Sequence, residues 1–132
     1  MNESMPTALL VEDDHEIRRF VRAALEQDGW QVREAASLAR ARIDTWSGQP
    51  DLIVLDLGMP EGGAVDYIVQ VRQRSHVPMI VLAARVDDSE KMRALNAGAD
   101  EYMSKLFGIG ARLDAALRRL RPRPQQQFGE CE

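Results

Sequence analysis

Hydrophobic positions along the chain fall into short unbroken runs separated by longer stretches with helical spacing. Leu52 to Leu55 is aliphatic throughout, and Thr7 to Val11 and Val77 to Ala83 show the same character. Such runs are expected of strands buried on both faces of a parallel sheet. Trp30 to Ala35 alternates weakly and reads as a second strand, and Glu101 to Met103 as a short fifth. Between the strands the spacing becomes i, i+3, i+4, i+7, the stripe of an amphipathic helix. Ile17, Phe20, Val21, Ala24 and Leu25 stripe a first helix that Asp14 opens and Gly29 ends. Ser37 caps a second, with Ala39, Ile43 and Trp46 on one face. A third turns Val65, Ile68 and Val69 inward. A fourth runs from Asp87 to Ala97, and Ile109, Leu113, Ala116, Leu117 and Leu120 stripe a fifth. Five strands alternating with five helices predict an α/β fold with a doubly wound parallel sheet and helices on both faces. Right-handed crossovers favour the flavodoxin-like strand order 2-1-3-4-5.

Composition narrows the function. The 132 residues, 45% of them apolar, suffice for one domain with a real core. A net charge of −4, from 17 basic and 21 acidic residues, gives no basic footprint for nucleic acid. The single cysteine, Cys131, can close no internal disulfide, which suits a reducing cytoplasm. No apolar run approaches bilayer length, and the first residues do not form a signal peptide.

The chemistry is predicted at the carboxyl ends of the strands, where open α/β sheets place their ligands. The first strand runs into Glu12, Asp13 and Asp14, and the third ends on Asp56, followed by Gly58 and Pro60. In the expected order these two strands are neighbours, so Asp13, Asp14 and Asp56 share one mouth. Like charges this close repel, and a cation resolves the repulsion. Oxygen donors alone suit Mg²⁺ rather than Zn²⁺, and neither His15 nor His76 sits at a strand end. Lys105, after the fifth strand, would approach Asp56 from the far side. A divalent cation and an ammonium flanking one carboxylate form a phosphoryl-transfer arrangement with Asp56 as nucleophile. Each residue also has a plainer role: Asp14 as a helix cap, Asp13 as a turn residue, Lys105 as a solvated charge.

Four stretches carry a resemblance: Leu9-Leu-Val-Glu-Asp-Asp14, Asp51 to Pro60, Ala97 to Tyr102, and Ser104-Lys105. Together they resemble the receiver (CheY-like) domains of bacterial two-component response regulators. Ile17-Arg-Arg-Phe20, Leu55 to Gly58 and Phe107 to Gly110 look most like the OmpR/PhoB-type regulators of potassium transport. The resemblance implies that Asp56 accepts phosphoryl from a sensor histidine kinase. Asp13, Asp56 and the Gly58 carbonyl would hold Mg²⁺ directly, Asp14 through water, and Lys105 would pair with the phosphoryl group. Tyr102 would be the aromatic switch. A homodimer would form through the fourth helix, fifth strand and fifth helix, with Met92, Leu95 and Ala111 as apolar contacts. Lys91, Asp100, Glu101, Arg112 and Arg119 would be its charged ones. DNA would be reached only through an effector domain that residues 1–132 do not include.

Three departures from that pattern stand out. The fourth strand ends in Ala83 where the family carries Ser or Thr, removing a hydroxyl worth roughly 1.5–3 kcal/mol to a charged partner. Leu106 follows Lys105 where the family has a cis proline. A trans bond is expected there, with Lys105 displaced or mobile, because a non-proline cis bond costs about 2.5–4 kcal/mol. Gly110 runs straight into Ala111-Arg-Leu113, about one helical turn short of the relatives. The expected organisation is a receiver domain over 1–121 and a linker or disordered tail over 122–132. The main alternative is a degenerate receiver, a protein-interaction module independent of phosphate. A phosphohydrolase fits less well, because position 58 is glycine rather than an acid–base carboxylate.

Overall fold

A computed structural model describes residues 5–106 and 108–120. The proposed tail, 122–132, lies outside the described residues. The strands are β1 Thr7–Val11, β2 Gln31–Ala35, β3 Leu52–Asp56, β4 Met79–Ala83 and β5 Glu101–Ser104. All pair in parallel in the order β2-β1-β3-β4-β5, as the pattern predicts. The helices are α1 His15–Gln27, α2 Leu38–Gly48, α3 Ala64–Arg72, α4 Asp88–Ala97 and α5 Ile109–Leu120.

Alternation along the strands divides the core into two layers, because successive side chains leave opposite faces of a sheet. Leu9, Val11, Ile53, Leu55, Met79 and Val81 pack with Leu38, Tyr67, Ile68 and Ala94 of α2, α3 and α4. Ala8, Leu10, Leu52, Val54, Ile80 and Leu82 pack with Val21, Leu25, Leu113 and Leu117 of α1 and α5. Every residue of β3 and β4 is buried, which accounts for the unbroken apolar runs 52–55 and 79–83.

Three helix faces differ from the expected ones. On α2 the buried residues are Leu38, Ala41, Asp44 and Thr45, whereas Ala39 and Ile43 face solvent and Trp46 is half-buried. Polar residues can take the inward face because each finds a partner. The Thr45 hydroxyl donates to Ala41 O and meets the Tyr67 hydroxyl at 2.7 Å, and Asp44 pairs with Arg40 at 3.2 Å. On α3, Ala64, Tyr67, Ile68 and Val71 are buried, while Val69 is exposed. On α1, Phe20 is half exposed.

Arg72, at the end of α3, ties three segments together. Its guanidinium donates to Gly98 O at 2.8 Å, to Ser75 O at 3.3 Å and to Asp100 Oδ2 at 3.0 Å. Asp100 Oδ2 also accepts from Met79 N, the first residue of β4. No helix among the described residues is long and apolar enough to cross a membrane.

Candidate functional site

The topology makes β1 and β3 neighbours, with Val11 opposite Leu55. The residues just beyond the two strands therefore meet at one edge of the sheet. Glu12, Asp13 and Asp56 each place a carboxylate oxygen within 4.8 Å of the others. Asp56 is 1% exposed and Glu12 0%, while Asp13 opens to solvent. Lys105 enters from β5, where its backbone N donates to Ala83 O. Its ammonium lies 3.1 Å from Asp56 Oδ2 and 3.4 Å from Glu12 Oε2.

The Lys105–Leu106 bond is trans. The expected displacement of Lys105 does not occur. The backbone bond to Ala83 fixes where the side chain begins, and the two buried carboxylates draw its ammonium inward. Burial disfavours that charge, but the bond to Asp56 and the charges of Asp56 and Glu12 outweigh it and hold the lysine above its ordinary pKa.

Asp14 is not part of the cluster. It is exposed and caps α1, with Oδ1 accepting from Glu16 N at 2.9 Å and Ile17 N at 3.0 Å. The bond from Ile17 leads in holding its carboxyl below the usual range. Glu12 occupies the place expected of Asp14. Burial pushes its pKa up to about 7, and the charge of Asp56 adds to the effect. Among the described residues, Glu12 Oε1 is a buried side-chain oxygen with no hydrogen-bond partner. A buried, unpaired acceptor beside two further carboxylates fits a hard cation with oxygen ligands, and the donor set contains no sulfur or nitrogen.

This geometry sets a pH dependence. A carboxyl whose folded pKa is raised from 4.5 to about 7 is protonated in the folded state and ionised in the unfolded state between those values. Its contribution to stability is therefore present below pH 4.5 and lost as pH rises towards 7. In metal-free buffer, melting temperatures of the parent should fall relative to Glu12→Gln between pH 5 and pH 8. Parallel profiles would refute the assignment.

The loop after β3 is fixed where it leaves the strand. Leu57 N donates to Leu82 O, and Gly58 N donates to Asp56 Oδ1 at 3.0 Å. Ala83 is buried beside Ser104 in the sheet register. The Tyr102 hydroxyl donates to Glu90 Oε1 at 2.9 Å, approaches Arg85 O at 3.2 Å and accepts from Asp87 N at 3.2 Å. It thereby ties β5 to the β4–α4 loop, and its ring packs against the α2–α4 layer.

The residues expected at a dimer face are spread over α4, β5 and α5. Met92 is 56% exposed, Lys91, Ala111 and Arg112 are exposed, and Leu95 is half-buried against the core. Three of the charged ones are engaged within the chain: Asp100 with Arg72, and Glu101 and Arg119 with each other.

Comparison with known proteins agrees with this geometry. The model of the response regulator receiver domain matches residues 8–118. The KDP operon transcriptional regulatory protein KdpE of Escherichia coli K12 is 53% identical over 118 residues, 87% of this chain and 52% of that protein. The phosphate regulon transcriptional regulatory protein PhoB of the same organism is 34% identical over 130 residues, 94% of this chain and 57% of that protein. The crystal structure of a response regulator signal receiver domain from Bermanella marisrubri superposes with a TM-score of 0.77 at 29% identity, covering 90% of this chain and 100% of that one. The chain thus spans about half the length of the curated relatives it matches. It belongs to the response regulator receiver domain family, as a KdpE- and PhoB-like member.

Proposed function

We propose that Asp56 accepts a phosphoryl group from a sensor histidine kinase in the cytoplasm. The observation that carries this reading is the wholly buried Asp56 carboxylate, set between the Lys105 ammonium at 3.1 Å and the acidic pair Glu12 and Asp13. An Asp56 oxygen attacks phosphorus, the bond from phosphorus to the donor's imidazole nitrogen breaks, and an acyl phosphate forms as the imidazole leaves. Lys105 neutralises a phosphoryl oxygen. Asp13, Asp56 and the Gly58 carbonyl would hold Mg²⁺ directly, with Glu12 behind them in the role expected of Asp14. When bound, Mg²⁺ supplies the positive charge that lets a dianionic group approach three carboxylates. Transfer is stoichiometric, so the domain acts as a switch rather than an enzyme. Its output is a homodimer through α4, β5 and α5, with DNA reached through a separate effector domain.

A second reading concerns the output alone. Ala83 offers no hydroxyl to the phosphoryl group, and Tyr102 is already bound to the β4–α4 loop through Arg85 and Asp87 and to α4 through Glu90. The loop position is then set by Tyr102, and phosphorylation changes the dimer face little. Acetyl phosphate with Mg²⁺, followed by intact mass and light scattering, tests both readings. The first predicts the gain of one phosphoryl group that is lost when EDTA replaces Mg²⁺. The second predicts that gain with no change in dimerisation. No gain in mass contradicts the first.

A further inference from the structure

The flank formed by α4, β5 and α5 engages its carboxylates within the chain and leaves cations free. β5 is an edge strand, so no further strand covers the band between the two helices. The Glu101–Arg119 pair marks the side of α5 that faces this band. Arg112 stands seven residues earlier, about two turns, and so on the same side. Asp114 lines the groove towards α1 instead. On α4, Lys91 and Met92 precede Leu95 by about one turn, the spacing that groups side chains on one side of a helix.

The acidic groups nearby already have partners. Asp100 Oδ2 accepts from the Arg72 guanidinium and from Met79 N. Glu90 accepts from the Tyr102 hydroxyl, and Asp87 caps Glu90 N. Asp88 sits in the first turn of α4, where its charge meets the positive end of the helix dipole. Lys91 and Arg112 are exposed and form no ion pair among the described residues. Beside them stand apolar side chains that are each more than half exposed: Val86 before α4, Met92 on it and Leu106 just after β5. A chain of net charge −4 thus presents a cationic, partly apolar band.

A second copy would bring the same free cations, Lys91 and Arg112, together with carboxylates that are already engaged. An acidic segment with apolar residues at helical spacing answers both the charge and the exposed apolar surface. Nucleic acid answers the charge but offers Val86, Met92 and Leu106 no apolar side chain. We infer that this band docks an acidic, amphipathic segment of another protein, which competes there with the second copy. The inference goes beyond the phosphoacceptor reading, and absence of phosphoryl on Asp56 would leave it standing.

The probe is a fluorescein-labelled helical peptide with leucine at i, i+3, i+4 and i+7 and glutamate elsewhere, titrated with the whole chain and followed by anisotropy. Lys91→Glu/Arg112→Glu should weaken binding by about tenfold, the loss of two exposed ion pairs in the upper part of their usual range. Met92→Ser should weaken it as well, whereas Arg19→Glu, which reverses an exposed charge on α1, should not. Added salt should lower the affinity, and a peptide with lysine in place of glutamate should not bind. Exposed substitutions of this kind leave the fold intact, which circular dichroism checks. In light scattering the glutamate peptide should reduce any dimer. Equal affinity for the parent and the double variant, or no binding by the parent, would overturn the inference. So would a peptide that binds and leaves a dimer intact. A DNA duplex bound as tightly as the peptide, and lost in the same double variant, would assign the cations to nucleic acid and overturn it too.

Discussion

Lys105→Met should lower stability by about 3 kcal/mol in metal-free buffer near pH 8. Removing one member of a buried ion pair leaves an uncompensated charge inside the protein. Here two carboxylates lose the same partner: Asp56 at 3.1 Å and Glu12 at 3.4 Å, both fully buried. For a domain of this size the melting temperature should drop by roughly 10 °C. The loss should shrink at pH 5, because Glu12 can then take up a proton and relieve the repulsion. Its pKa, already raised to about 7 with Lys105 present, should rise further without it. Added Mg²⁺ should restore more stability to the variant than to the parent. Calorimetry at the two pH values checks all three effects, and a variant as stable as the parent at pH 8 would show that the lysine does not hold the carboxylates together.

Gly98→Ala should be destabilising by about 3 kcal/mol through backbone strain and lost hydrogen bonds. Gly98 sits at φ +128°, which L-residues rarely adopt, and a Cβ there would lie 2.3 Å from Arg72 Cγ. Arg72 cannot yield by moving only its tip, because the clash falls near the base of its side chain. Displacing it breaks its bonds to Gly98 O, Ser75 O and Asp100 Oδ2, which join the end of α3 to the starts of β4 and β5. In an Arg72→Ala background the clash is gone, so the same substitution should cost only the backbone strain, about 1–2 kcal/mol. Urea midpoints at constant m-value measure the four corners of this cycle. Equal losses in both backgrounds would mean that Arg72 does not pack over Gly98.

Legibility in the sequence tracks burial. β3 and β4 are buried on both faces, so their apolar runs predict strands, and the order of strands follows from chain handedness. Asp56 is legible because it closes such a strand, and Lys105 because it follows the short fifth strand. Glu12 is not, because an acidic residue directly after an apolar strand looks no different from Asp13 and Asp14. Only the path of the chain shows that Glu12 turns inward while Asp14 turns out to cap α1. The signal that could have found it is continuity with β1: Glu12 N donates to Ala35 O, extending the strand's pairing by one residue. The inward face of α2 is hidden for a related reason. Asp44 and Thr45 are polar by type yet buried by their bonds to Arg40, Ala41 and Tyr67, partners that hydrophobic spacing does not register. The bond from Leu38 N to the Glu61 carboxylate joins positions 23 residues apart and leaves no periodic trace at all.

The departures at Ala83 and Leu106 affect the site unequally. Leu106 leaves the Lys105 geometry whole, since the backbone bond to Ala83 O and the pull of two carboxylates suffice to place it. Ala83 removes a hydroxyl on the phosphoryl side, while Tyr102 is anchored elsewhere, on Glu90. On the proposed reading, acceptance of phosphoryl and reporting of it are therefore separable in this domain.

The central claim is that Asp56 carries the phosphoryl group. The most direct measurement is borohydride reduction of the protein after treatment with acetyl phosphate and Mg²⁺, followed by peptide mass spectrometry. An acyl phosphate on aspartate is reduced to homoserine, whereas free carboxylates are untouched. Homoserine at position 56, absent without Mg²⁺, is the predicted result; homoserine at position 13 or 14 instead, or at none, would contradict it.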